Sequence, residues 1–312
     1  MIVQHNGEAH NLIGDTHLGL GFKTGVPLHR RGEREAMVWA EFERQLNIEA
    51  DYTVQVGDLF DSPDVSKATV ARTIDLVSEA AARQPHTRFF FMAGNHDRSR
   101  QPGVVSSFDL FARGVRHLWE TVTVVTEPMV THNMLLLPWQ WGVPALDQLA
   151  NFQPEAGLMA VCHHDLETFG GHDAYLLPAA RLRDLGCSAI YTGHWHIPGD
   201  YTVERVPVVC TGSMLPYRRN EDPEGSLYVT VTEDELEGAD LRNKCVRLVL
   251  RKGTEVPNLD ALAVEVVWED DQHQDVAAVA ADFELSEALI RAFDNNKVPQ
   301  DTRDFIKERL SL

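Results

Sequence analysis

Short apolar runs, most of them closed by a glycine or a polar turn, recur through the first two-thirds of the chain. Those at residues 11–14, 52–57, 88–94, 134–137, 158–163 and 189–193 are too short for helices and predict strands. Between them, residues 33–50 and 65–83 carry helix-forming residues at helical spacing. This alternation predicts an α/β (α+β layered) domain, with polar motifs placed directly after strands, where open α/β sheets tend to put their sites. From about Tyr201 the pattern changes to consecutive strands, at 206–210, 226–231, 246–250 and 261–268. An acidic, turn-prone stretch at 268–275 then reads as a linker. Two short helices follow at 284–293 and 301–310, broken at Asn295-Asn296 and Pro299. The expected organisation is a core over 1–255, a strand and acidic linker over 256–276, and a small C-terminal helical tail over 277–312.

Length adds little to that picture, since 312 residues suit one large domain with a small appendage. No apolar run is long enough to span a bilayer, and Met1 to His10 is polar, so neither a membrane span nor a signal peptide is expected. Cys162, Cys187, Cys210 and Cys245 lie far apart with no CxxC pair, a pattern that suits reduced thiols and a cytoplasmic location. The formal net charge of −19 counts against a nucleic-acid partner, because phosphate binding usually rests on Lys and Arg. The charge is uneven, however: residues 221–312 carry −12 and residues 1–220 carry −7. Several acids of the first part are candidate metal ligands, and two divalent cations would offset them locally.

Five clusters carry the candidate chemistry. Asp15 and His17 lie in Gly14-Asp15-Thr16-His17-Leu18-Gly19; Asp58 and Asp61 lie in Gly57-Asp58-Leu59-Phe60-Asp61; Asn95, His96 and Asp97 follow Gly94. His163 and His164 end a strand before Asp165, and His194 and His196 flank Trp195 after Gly193. Carboxylate, imidazole and amide oxygen together suit Mn²⁺, Fe or Zn²⁺, whereas calcium or magnesium cages use oxygen almost alone. An Asp-x-His or His-x-His pair at a strand end sends both side chains to one face. A shared carboxylate, for which Asp58 is the candidate, holds two ions about 3.5–4 Å apart in two-metal hydrolases. Taken singly, each cluster has a plain structural reading as a cap, a turn or core packing. Five in this order, each following a strand, make coincidence improbable.

The series DxH, GDxxD, GNHD, H and GHxH resembles the calcineurin-like metallophosphoesterase superfamily, from Gly14 to His196. The resemblance implies a β-sandwich flanked by helices and a site of two divalent metal ions, Mn²⁺ foremost, with Mg²⁺, Fe or Zn²⁺ as alternatives. It implies Asp15, His17, Asp58 and His196 on one ion, and Asp58, Asn95, His163 and His194 on the other. It further implies His96, hydrogen-bonded to Asp97, as the general acid that protonates the leaving alkoxide, and Asp61 near the scissile phosphate. His164 competes with His163 for the single-histidine position, and the resemblance favours His163, which ends the strand.

Within the superfamily, Leu18-Gly19 after the first histidine, the basic stretch from Arg30 through Arg34, and Thr211-Gly212-Ser213 followed by Pro223-Glu224-Gly225 resemble the nuclease subunit of SbcC–SbcD and Mre–Rad complexes and their phage counterparts. That implies a metal-dependent DNA exonuclease or endonuclease of repair and recombination, with DNA, an SbcC-like ATPase and a second copy of the chain as partners. It also implies that the C-terminal helices grip the ATPase. The acidic charge and the short span before residue 301 keep a small-nucleotide phosphodiesterase or phosphatase as the alternative, and a non-catalytic binding module as a third reading.

Overall fold

The structure is a computed structural model of the chain and describes residues 1–101, 103–167 and 173–269. The helices expected at 284–293 and 301–310, and most of the acidic linker, lie outside the described residues. Among the described residues no helix is long and apolar enough to cross a membrane.

Five strands, β1 (Ile2–His5), β2 (Glu8–Ile13), β3 (Tyr52–Gln55), β4 (Arg88–Met92) and β5 (Val122–Val125), form one sheet in that order. All its pairs are parallel except the β1–β2 hairpin. A second sheet takes β6 (Met129–Thr131), β7 (Met134–Leu137), β8 (Leu158–Cys162), β9 (Cys187–Thr192), β10 (Gly199–Val203) and β11 (Val206–Cys210) in the order β10-β11-β9-β8-β7-β6. Its interior pairs are parallel and its two edges are antiparallel hairpins.

Alternation along the strands explains how the layers stack. Phe90 and Met92 of β4 join Leu12, Val54, Met134, Leu136, Met159 and Val161 in an apolar layer between the two sheets. Their neighbours Phe89 and Phe91 point the other way, into a cluster with α1 (Glu33–Leu46), α2 (Lys67–Arg83) and α3 (Ser107–Gly114). On the far side, Leu135, Leu137, Ala160 and Cys162 of the second sheet meet the short α5 (Ala179–Asp184), with Leu149 beside α4 (Ala145–Gln148). Period-two side chains buried on both faces read as continuous apolar runs, which is why these strands were legible as runs and not as alternations. Each fully buried Phe, such as Phe89, Phe91, Phe108 and Phe111, contributes roughly 1.5–3 kcal/mol of burial.

The third sheet is wholly parallel: β12 (Tyr228–Thr232), β13 (Cys245–Leu250) and β14 (Ala263–Trp268). The strand expected at 261–268 is thus β14, paired with β13 across residue 255. Two arginines tie this sheet to the α1 region. Arg30, buried, donates to Asp260 Oδ1 (2.6 Å) and to the Arg242 carbonyl (2.7 Å). Arg34 donates to the Tyr228 hydroxyl (2.8 Å) with its guanidinium 3.7 Å above the Phe22 ring. The basic stretch noted in the sequence is therefore engaged internally at two of its three arginines, Arg30 and Arg34.

Candidate metal centre

Every motif sits just past a parallel strand, where the chain turns at the carboxyl edge of the two facing sheets. Asp15 follows β2, Asp58 follows β3 and Asn95 follows β4; His163 follows β8, and His194 and His196 follow β9. Four of the turns, at Gly14, Gly57, Gly94 and Gly193, need glycine for close approach. A Cβ on Gly57 would lie 2.2 Å from His163 Nδ1, and one on Gly94 would lie 2.1 Å from Asp58 Oδ1. The turns also place His17 (φ 43°), Asp58 (φ 52°) and His194 (φ 74°) in the left-handed region. Such backbone costs of order 1–3 kcal/mol per residue and persists where its surroundings over-determine it.

The side chains converge. His17 Nε2 lies 3.0 Å from His196 Nε2, which is 3.5 Å from Asp15 Oδ2. Asp58 Oδ2 stands 3.8 Å from His17 Nε2 and 3.5 Å from His163 Nε2. Asn95 Oδ1 lies 3.1 Å from His163 Nε2 and 2.8 Å from His194 Nδ1. Asp15, His17 and His196 form one group able to hold a cation, and Asp58, His163 and His194 another. A further group, of His17, Asp58 and His96, overlaps the first at His17 and the second at Asp58, so Asp58 lies between the two positions.

The donor set fits divalent ions on a second, independent ground: the ring nitrogen of each histidine that faces away from the cluster. His163 Nδ1 donates to the Val56 carbonyl (3.0 Å), His194 Nε2 to Asp165 Oδ1 (2.6 Å) and His196 Nδ1 to Glu221 Oε1 (2.9 Å). His17 Nδ1 faces Asp61 Oδ1 at 3.5 Å. The outward hydrogen bonds of His163, His194 and His196 fix their tautomers and leave each inward nitrogen's lone pair for a metal, whereas His17 Nδ1 has only the nearby Asp61 carboxylate and no hydrogen bond. Trp139 backs the site, stacked on His194 (5.1 Å between ring centroids, 25° between planes) and on Tyr175 (4.5 Å, 24°).

Electrostatics agree with the geometry. Burial alone would strip protons from His163 and His196. The Asp58 and Asp15 carboxylates outweigh it at His163, pushing it up to about 9, and Asp15 with Glu221 pushes His196 up to about 10. Burial raises the Asp58 carboxyl, but the His163, His17 and His96 imidazoles hold it well below the ordinary carboxylate range. Buried anions of this density require cations, and metal must displace protons to bind, so affinity weakens as pH falls.

The structure separates the two adjacent histidines as expected and changes one expected partnership. His163 enters the cluster, whereas His164 is buried beside Trp139 (5.9 Å) with neither ring nitrogen hydrogen-bonded. Burial, then His163 and His194, push His164 down to about 3, so it is a neutral core histidine. The expected hydrogen bond between His96 and Asp97 is replaced by others. Asp97, fully buried, accepts from the backbone N–H groups of Leu59 (3.1 Å), Phe60 (2.8 Å) and Gly94 (2.8 Å), stapling the turn after β3 to the turn after β4. His96 instead directs Nδ1 at the Asp61 carbonyl (2.7 Å) and its backbone N–H at Asp58 Oδ1 (2.8 Å). A carbonyl only accepts, so Nδ1 carries the proton and Nε2 is left for other work. Asp61, expected near substrate, uses its side chain toward His17 and its carbonyl toward His96, while still lining the cavity.

That cavity, of about 420 Å³, opens over the cluster. It is lined by His17, His96 and His196, by the apolar side chains of Leu20, Phe22 and Ile197, and by Arg218 and Asn220. Sequence reasoning missed Glu221 and Asp165 as partners of histidines. Asp165 carried a faint signal, an acid just after the His163-His164 pair; Glu221, in an acidic turn, carried none.

In comparison with known proteins, the sequence model of the calcineurin-like phosphoesterase family matches residues 11–198. That span begins just before Asp15 and ends just after His196, enclosing all five motifs. A search of curated proteins finds no match to the chain.

Proposed function

The chain belongs to the calcineurin-like phosphoesterase family, and from that premise we propose that it is a DNA nuclease of the SbcD and Mre type, hydrolysing phosphodiesters at a two-metal centre. The family hydrolyses phosphoesters with divalent metals, and the Asp and His clusters fit a dinuclear site. The observation that carries the nuclease reading is the return segment from Thr211. Gly212 accepts from the Asp15 N–H (3.3 Å), Ser213 bridges to Asp15, and Met214 donates to the Asp15 carbonyl (2.8 Å), so this segment closes over the first motif. Its sequence is also where the chain resembles the nuclease branch beyond the five motifs.

In this reading Asp15, His17, Asp58 and His196 hold one ion, and Asp58, Asn95, His163 and His194 hold the other. Bound divalent ions neutralise the phosphoryl oxygens and lower the pKa of water. The chain's own residues do the remaining work. His96, anchored through its Nδ1–H to the Asp61 carbonyl, lines the cavity; carrying a second proton on Nε2, it gives that proton to the leaving alkoxide and keeps the one on Nδ1. Asp97 keeps the turns carrying Asp58 and Asn95 in register. The apolar wall of Leu20, Phe22 and Ile197 takes the sugar and base beside the scissile bond.

The internal engagement of Arg30 and Arg34, together with the net charge of −19, favours a second reading in which the substrate is a small nucleotide diester. Hydrolysis of single-stranded, duplex and hairpin DNA, beside bis(p-nitrophenyl) phosphate, in Mn²⁺ and in Mg²⁺ separates the two. The nuclease reading expects cleavage of DNA; hydrolysis of the small ester with all three DNAs left intact would replace it with the second. An SbcC-like ATPase partner, gripped by residues 277–312, and a homodimer belong to the same proposal. Removing 277–312 is expected to abolish capture of such an ATPase in a pull-down and to leave small-ester turnover unchanged. Undiminished capture by the truncated chain would refute the tail's role.

A further inference from the structure

The histidines of the metal centre are not held equally. His17 and His163 are clamped by burial, at 4% and 0% side-chain exposure, whereas His194 and His196 stand partly open at 18% and 26%. A partly exposed imidazole is not held by packing alone and depends on its hydrogen-bond partners for its orientation. Each of these two open rings donates its outward nitrogen to a carboxylate, His194 to Asp165 and His196 to Glu221.

Glu221 lies outside the span matched by the family, on the turn that leads into the third sheet. It is itself buried, and its two oxygens do different things. Oε1 receives the His196 ring N–H at 2.9 Å, while Oε2 accepts from the backbone N–H groups of Tyr217 (2.8 Å) and Arg218 (3.3 Å). The turn is fixed at both ends. The Tyr217 hydroxyl donates to the Thr16 carbonyl (2.5 Å) beside the first motif. Asp222 accepts from the N–H groups of Ser226 (2.9 Å), Leu227 (2.7 Å) and Tyr228 (2.6 Å), which starts β12. A carboxylate this anchored is a stop against which the His196 ring is set.

We propose that Glu221 is a positioning residue for the first metal position: it fixes His196 with Nε2 toward Asp15 and His17, so that the turn entering the third sheet completes the centre. The proposal rests on the two-metal reading of the site. Outer partners of metal-binding histidines are worth about 10–100-fold in metal affinity.

The test is a calorimetric titration of the metal-free, full-length chain with Mn²⁺, paralleled by the visible absorption of Co²⁺ at the same site. The wild-type chain is expected to take up two equivalents. Glu221→Gln keeps the volume but turns an amide N–H₂ toward one set of donors; it is expected to weaken one equivalent about 10–100-fold and shift its Co²⁺ band, leaving the other unchanged. Glu221→Asp, which draws the carboxylate back by one methylene, provides the same comparison should the glutamine variant fold poorly. The deciding arm is the double variant. If Glu221 acts through His196, adding Glu221→Gln to His196→Ala changes nothing further. An equal additional loss in that background, or wild-type affinity in both single Glu221 variants, overturns the proposal. Fewer than two equivalents in the wild type would overturn the two-metal reading instead.

Discussion

Asp58→Ala is expected to abolish phosphoester hydrolysis and to lower the metal content of the purified protein. Asp58 is buried, sits within 4 Å of His17 Nε2 on one side and of His163 Nε2 on the other, and belongs to two of the three groups able to hold a cation. Its remaining oxygen accepts the His96 N–H, so the substitution also frees the turn that carries the proposed acid. Metal-derived charge stabilisation is worth several kcal/mol, which corresponds to at least about 10³-fold in turnover. Metal analysis with a turnover assay decides it: an alanine variant with two bound ions and ordinary activity would remove Asp58 from the centre.

The second large effect is expected at His96. Glutamine there can still donate to the Asp61 carbonyl but cannot give up a proton usefully, so His96→Gln should keep both metals and lose about 10²–10⁴-fold in turnover on DNA. The loss should shrink on bis(p-nitrophenyl) phosphate, whose leaving group departs as a stable anion without needing a proton. Equal losses on both substrates would count against an acid role. Departure of one metal would make His96 a ligand, which its proximity to His17 and Asp58 allows geometrically.

The candidate ligands were readable because each motif is local: a short polar string at a strand end, with strand geometry supplying the convergence. The strands were readable as apolar runs, so 134–137 and 206–210 match β7 and β11 residue for residue, the first because both of its faces are buried and the second although Pro207 is exposed. Elements lacking that signal went unseen. β1, β5, β6 and β10 are short and mix polar with apolar residues, and α3 has only eight residues. Its start was nevertheless written in the chain, since Ser106 and Asp109 form a reciprocal cap. What sequence proximity misled was the His96–Asp97 pair. Adjacent residues on a tight turn point apart, and three backbone N–H groups outbid one imidazole for the buried Asp97 carboxylate. Partnerships such as Glu221 with His196 and Arg30 with Asp260 join distant segments and follow only from the packed fold.

The two facing sheets meet at the metal centre as the two leaves of a hinge meet at its pin. Asp15, Asp58 and Asn95 come from the first sheet, and His163, His194 and His196 come from the second. An ion held by both leaves is therefore a rivet as well as a reagent, since parting the sheets means ejecting it. By mass action, metal at a hundred times its dissociation constant adds about 2.7 kcal/mol to the folded state. On that account, loss of metal would shorten a molecule's life against proteases as well as slow its turnover. A metal-starved population would thin out through degradation before it accumulated as idle enzyme.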